Sequence, residues 1–177
     1  LCLYEENEFI LSYNGEIYNY KELKSQLISK GLKFKTNCDT ELFLKSFIYW
    51  GEKCFEKFNG MFAAAIYDIK RNKIYLARDI AGEKPLYFYK KNRTFAFASE
   101  AKAFYRNFEL SKNLNRNFFN SFQHCLNETL WKEVFSLPPA SFLCLNVKSL
   151  KYRIQKYWKF QKRKIALKTA EEELEYL

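Results

Sequence analysis

The chain has 177 residues, a net charge of +10, 48% hydrophobic residues and 19% aromatics. That is enough apolar material for one substantial core and excludes a disordered chain. Five glycines and three prolines leave no room for low-complexity tracts, and no apolar run approaches the length that spans a bilayer.

The positive charge does not mark a nucleic-acid partner. The lysines are scattered and many stand beside acids, as in Lys21-Glu22, Glu52-Lys53 and Glu56-Lys57. A solvated basic surface is the simpler reading than a phosphate-tracking groove, and no membrane partner is expected. The cysteines are Cys2, Cys38, Cys54, Cys125 and Cys144, an odd number without a CxxC pair. With His124 the single histidine, no zinc set of familiar spacing forms. No basic-then-apolar leader opens the chain, so reduced cytoplasmic thiols are expected.

In chain order, Glu8 to Tyr13 reads as a strand that runs into a turn at Asn14-Gly15. Tyr20 to Lys30 has helical periodicity, with Leu23, Leu27 and Ile28 on one face and Gly31 as a stop. Lys33 to Thr36 reads as a short strand. Asp39 to Trp50 is a second helix, closed by Gly51, and Glu52 to Phe58 a third. Phe62 to Asp68 is nearly all apolar, as in a strand buried on both faces. Arg71-Asn72 turns it into a strand over Lys73 to Asp79. Ile80 to Pro85 is a loop. Leu86 to Tyr89 and Thr94 to Ser99 form a hairpin around Lys91-Asn92. Lys102 to Arg106 and Phe118 to Cys125 read as helical, and Phe135 to Leu137 and Ser141 to Val147 as strands around Pro138-Pro139. Thr169 and Glu172 form a capping box before an acidic helix-like run. Strand, helices, then many antiparallel strands predict an α+β layered fold.

The stretch Asn14-Gly15-Glu16 carries the chemistry. Asparagine offers an amide donor, and glycine offers a main-chain N–H with no side chain in the way. Two donors aimed at one point make an oxyanion hole. Glu16 and Asp39 could hold a cationic substrate group beside it. By itself, Asn-Gly reads more simply as a plain turn with an exposed acid after it.

The ordered set NGEIYNYKELKSQL, FKTNCDTE, NGMFAAAIYD, LARDIAGEKPLYFY, FASEAKA, LPPASF and KYW resembles the glutaminase domain of glutamine-hydrolysing asparagine synthetases. These are class II glutamine amidotransferases. The resemblance runs from about Phe9 to Trp158. It implies an N-terminal-nucleophile hydrolase-like αββα sandwich with stacked antiparallel sheets, a partial domain over 1–158. Residues 159–177 would be a linker and the start of a synthetase domain. It also implies hydrolysis of glutamine to glutamate and ammonia. The ammonia would convert aspartate to asparagine in the synthetase domain, with ATP and Mg²⁺ there and no cofactor in this part; a homodimer is compatible with it.

By the same resemblance Asn14 and Gly15 match the oxyanion hole, and Glu16 and Asp39 match the groups on the α-amino group of glutamine. The nucleophile is an N-terminal cysteine of a Cys-Gly-Ile start, which these residues lack. Cys2 is not its equivalent, so the chain alone is expected to be inactive. Arg78 and Asp79 are expected as a structural ion pair, and Glu100 and Lys102 as an interdomain or surface pair. Tyr13, Tyr18 and Tyr20 are expected to pack walls and core. The pattern has a second arginine where this chain has Ile80, and Gly-His where it has Ala140-Ser141. Two alternatives stay open: an amidotransferase acting on a sugar or cell-surface precursor, and a non-catalytic remnant.

Overall fold

The computed structural model describes residues 2–5, 8–107, 114, 115, 118 and 128–160. Its strands are β1 (Cys2–Glu5), β2 (Phe9–Ile17), β3 (Gly60–Asp68), β4 (Lys73–Arg78), β5 (Tyr87–Lys91), β6 (Thr94–Ala98), β7 (Val134–Ser136), β8 (Ser141–Asn146) and β9 (Tyr152–Lys156). The helices are α1 (Tyr20–Ser29), α2 (Asp39–Trp50) and α3 (Ala103–Asn107), with a 3₁₀ helix over Gly51–Lys57. Two sheets form, in the orders β1-β2-β3-β4-β8-β9 and β6-β5-β7. Every pairing of named strands is antiparallel.

The period-2 alternation of side chains sorts the core into layers. On β3, Phe62, Ala64 and Ile66 face the helices, while Ala63 and Ala65 face the second sheet. On β4 and β8, Tyr75, Ala77, Phe142 and Cys144 face the helices. Leu76, Leu143 and Leu145 meet Leu86 and Phe88 between the sheets. The outer face of the small sheet packs Tyr89 and Val134 against Phe104 of α3. The result is helix, sheet, sheet, helix. Burial on both faces explains why β3 reads as an unbroken apolar run.

The helix-side core is aromatic. The Phe43 ring centroid lies 5.1 Å from that of Tyr13, 4.6 Å from Phe58 and 5.3 Å from Phe62. Removing a ring so enclosed costs about 3–5 kcal/mol. Phe43 sits on α2, which starts at Asp39 because Asp39 and Glu41 put negative charge in its first turn. It ends where Gly51 takes φ +59°. This helix therefore docks against β2 with its acidic end at the β2 corner.

Three sequence expectations change. Asn14-Gly15 is not a turn: β2 continues through both residues to Ile17, paired with Ala63 and Phe62. Lys33 to Thr36 is not a strand. Glu41 holds it instead as a loop, its carboxylate accepting from the Lys35 N–H (2.8 Å), the Thr36 N–H (2.7 Å) and the Thr36 hydroxyl (2.6 Å). The third helix is a 3₁₀ segment. Strands β1 and β9 are additions. Of the helix expected over Phe118 to Cys125 only Phe118 is described; His124, and the linker and capping box beyond Phe160, lie outside the described residues.

Candidate active site

The corner of β2 is built by a close approach. Gly15 and Gly60 stand where β2 and β3 come so near that a Cβ on either would overlap the opposite main chain. Two glycines in this register let the strands cross without a side chain between them.

The ladder then decides where the Gly15 N–H points. Gly15 is opposite Phe62, but both main-chain polar groups of Phe62 belong to Asp79. The Phe62 N–H donates to Asp79 Oδ2 at 3.2 Å, and the Phe62 carbonyl accepts the Asp79 N–H at 2.9 Å. Gly15 and Phe62 are thus a non-hydrogen-bonded pair. The Gly15 N–H is turned to the other edge of β2, as is that of Ile17, which donates to Asp39 Oδ2 at 3.3 Å. The last described pair of β1 with β2 is Cys2 with Ser12, so Gly15 lies beyond it.

Asn14 is exposed on the sheet-facing side. It lines a cleft of about 300 Å³ with Ser12, Leu86, Phe97, Ala98 and Ser99, where the two sheets part. Its side chain makes no hydrogen bond among the described residues. Glu16, two residues on, is exposed on the same side.

Asp39 reaches the corner from α2. Its Oδ2 accepts from the Tyr13 hydroxyl at 3.2 Å as well as from the Ile17 N–H. The Cys38 Sγ lies 3.9 Å from Oδ1. Burial first, then Asp39, and more weakly Cys38 and Glu16, hold the Tyr13 phenol well above its ordinary value. Asp39 is bonded to this buried tyrosine, whereas Glu16 stands on the opposite face of β2. Of the three tyrosines expected to pack walls and core, Tyr13 and Tyr20 do so, Tyr13 also donating to Asp39 and the Tyr20 hydroxyl accepting from Lys24, while Tyr18 is 56% exposed.

Arg78 and Asp79 are not an ion pair. Arg78 donates to the carbonyls of Lys84, Leu137 and Gly82 and to the Ser136 hydroxyl, at 2.7–3.1 Å. Burial pulls its pKa down from the ordinary value. Asp79 is 1% exposed and accepts the N–H groups of Phe62, Glu83 and Lys84. Consecutive residues on a strand point to opposite faces, so each serves the main chain on its own side. Ile80, where the resemblance has arginine, packs against the helix-side core. Ala140, where it has glycine, takes φ +55°. Glu100 and Lys102 form an exposed pair at 2.5 Å. Among the described residues, no helix is long and apolar enough to cross a membrane.

Two antiparallel sheets stacked face to face between helical layers make an αββα sandwich, an N-terminal-nucleophile hydrolase-like fold. The glutamine phosphoribosylpyrophosphate amidotransferase of B. subtilis superposes with a TM-score of 0.62 at 19% identity, over 89% of this chain and 31% of that one. The family description "glutamine amidotransferase domain" matches residues 2–158, and the chain belongs to that family. It is 32% identical over 168 residues to asparagine synthetase [glutamine-hydrolyzing] 3 of Bacillus subtilis, covering 92% of this chain and 27% of that protein. It is 42% identical over 110 residues to putative asparagine synthetase [glutamine-hydrolyzing] 2 of Methanocaldococcus jannaschii, covering 62% and 21%. The chain thus spans about a quarter of the length of these curated relatives.

Proposed function

We propose that this chain forms the glutaminase part of a glutamine-hydrolysing asparagine synthase. The observation that carries the reading is the Gly15 N–H, turned out of the β2–β3 ladder beside Asn14. A donor free of that ladder suits a developing oxyanion. In this reading a cysteine thiolate adds to the δ-carbonyl of glutamine, and the Gly15 N–H and Asn14 amide stabilise the negative oxygen. Collapse breaks the C–N bond and releases ammonia. Water then hydrolyses the thioester to glutamate. Asp39 and Glu16 hold the α-ammonium, since two carboxylates suit one cation. Ammonia, aspartate, ATP and Mg²⁺ meet in the remainder of the protein, where AMP and pyrophosphate leave as asparagine forms.

The test is an assay of the protein expressed from its natural start. Glutamine hydrolysis and ATP-dependent asparagine formation are measured with glutamine and with free ammonia as nitrogen source. Activity with both sources supports the reading. Hydrolysis of glutamine without asparagine formation moves the acceptor to another substrate. Asparagine formation from ammonia but not from glutamine removes the oxyanion role from Asn14 and Gly15.

A further inference from the structure

The two oxygens of Asp39 are unequally occupied. Oδ2 accepts from the Tyr13 hydroxyl at 3.2 Å and the Ile17 N–H at 3.3 Å. Oδ1 has the Cys38 thiol at 3.9 Å, a weak donor at long range. A carboxylate held by two donors on one oxygen has its rotamer fixed and its second oxygen presented to a ligand. We propose that Tyr13 is a positioning residue for glutamine recognition: its hydroxyl pins Asp39 Oδ2 and presents Oδ1 to the substrate α-ammonium. This rests on the glutaminase reading above.

The sequence alternation explains why a tyrosine stands there. Leu11, Tyr13 and Ile17 form the core face of β2, and packing alone asks only for an apolar side chain at position 13. The ring fills that need, 5.1 Å from the Phe43 ring and 7% exposed. The hydroxyl adds a cost of burial that phenylalanine would avoid, unless it finds a partner. Its partner is Asp39, 26 residues away on another element. The phenol keeps its proton across the working pH range, since burial and then Asp39 disfavour ionisation. It is therefore a constant donor on a rigid strand, which site geometry requires.

The experiment measures steady-state glutaminase activity of the full-length protein as wild type, Tyr13→Phe, Asp39→Asn and the double variant, with melting temperatures. Loss of one hydrogen bond to a charged group corresponds to about a tenfold change in an equilibrium. Tyr13→Phe is expected to raise KM for glutamine by about that factor, with kcat within twofold and the melting temperature within about 3 °C of wild type. Asp39→Asn is expected to raise KM further, and Tyr13→Phe to add nothing on that background. A purely structural Tyr13 would lower the melting temperature and leave KM alone, which overturns the inference. So does a KM rise in Asp39→Asn that Tyr13→Phe does not share, while the reading of Asp39 stands. An unchanged KM in Asp39→Asn overturns the reading of Asp39 itself, and absence of wild-type hydrolysis overturns the glutaminase reading, the inference falling with either.

Discussion

Gly15 lies so close to Met61 that a methyl group on its Cα would overlap the Met61 carbonyl oxygen, and it would stand 2.7 Å from Phe62 Cα. Both obstacles are main chain, so no side chain can swing away. Gly15→Ala must part β2 from β3 at the corner. The expected cost is about 3 kcal/mol, the upper range for an added methylene in a packed site. It is read as a lower urea midpoint. An unchanged midpoint would show that the strands separate freely there and that the corner is not rigid.

Asn14 provides the opposite case. Its side chain is exposed to the cleft, so Asn14→Ala is expected to change stability by no more than about 0.5 kcal/mol. If its amide is an oxyanion donor, kcat for glutamine hydrolysis falls about 10²- to 10³-fold, while ammonia-dependent synthesis persists. A stable variant with full kcat would leave the oxyanion to Gly15 alone.

Glu41 makes stability depend on acid. Burial works against its ionisation, but the Thr36 hydroxyl, the Lys35 and Thr36 N–H groups and Lys45 outweigh it, so its pKa is held below the ordinary value. The unfolded chain therefore binds the proton more readily. The stabilisation is present above the ordinary glutamate range and is lost as pH falls through the lowered folded value. Glu41→Gln turns an amide NH₂ toward donors that now find a carboxylate oxygen. At pH 7 it should cost about 2 kcal/mol. The gap to wild type should narrow toward pH 3, as followed by urea unfolding at each pH. A gap that held constant with pH would show the carboxylate charge to be immaterial.

Much of this architecture is local enough to read from sequence. α2 runs from Asp39 to Trp50 as expected, because its first-turn acids and Gly51 act on the helix itself. β3 is legible because burial on both faces leaves it continuously apolar. The Asn14-Gly15 reading failed for a physical reason. The dipeptide usually buys a turn, yet here the glycine answers a neighbouring strand that sequence does not reveal. The Lys33 to Thr36 loop was misread because its anchor, Glu41, lies on the next helix. β9 is hard to read because its alternation, Tyr152 and Ile154 between Arg153 and Gln155, spans only two apolar positions and four of its five residues are exposed. The candidate site follows the same rule. Asn14, Gly15 and Glu16 are one stretch, so the sequence nominates them together. The bond from Tyr13 to Asp39 depends on how α2 docks and had no local signal.

Arg78 ties the Ile80 to Pro85 loop to the end of β7 and the residue after it. Its Nε and Nη2 donate to the carbonyls of Lys84 and Gly82, and its Nη1 to Leu137 and Ser136. The fork reaches carbonyls on both sides of one planar group. The loop bends to meet it at Gly82, which takes φ +74° where a Cβ would stand 2.7 Å from Pro139 Cγ. Arg78→Lys keeps the charge but replaces the fork with a single ammonium, whose three donors leave one point. It can satisfy one or two of these acceptors and strands the others in a half-buried site. The expected loss is about 2–3 kcal/mol of stability, with amide exchange rising at Gly82 and Lys84 before it rises in β3. Were the charge alone responsible, Arg78→Lys would match wild type in both stability and exchange, and the loop would owe its shape to Asp79, whose carboxylate accepts the Glu83 and Lys84 N–H groups from the other face.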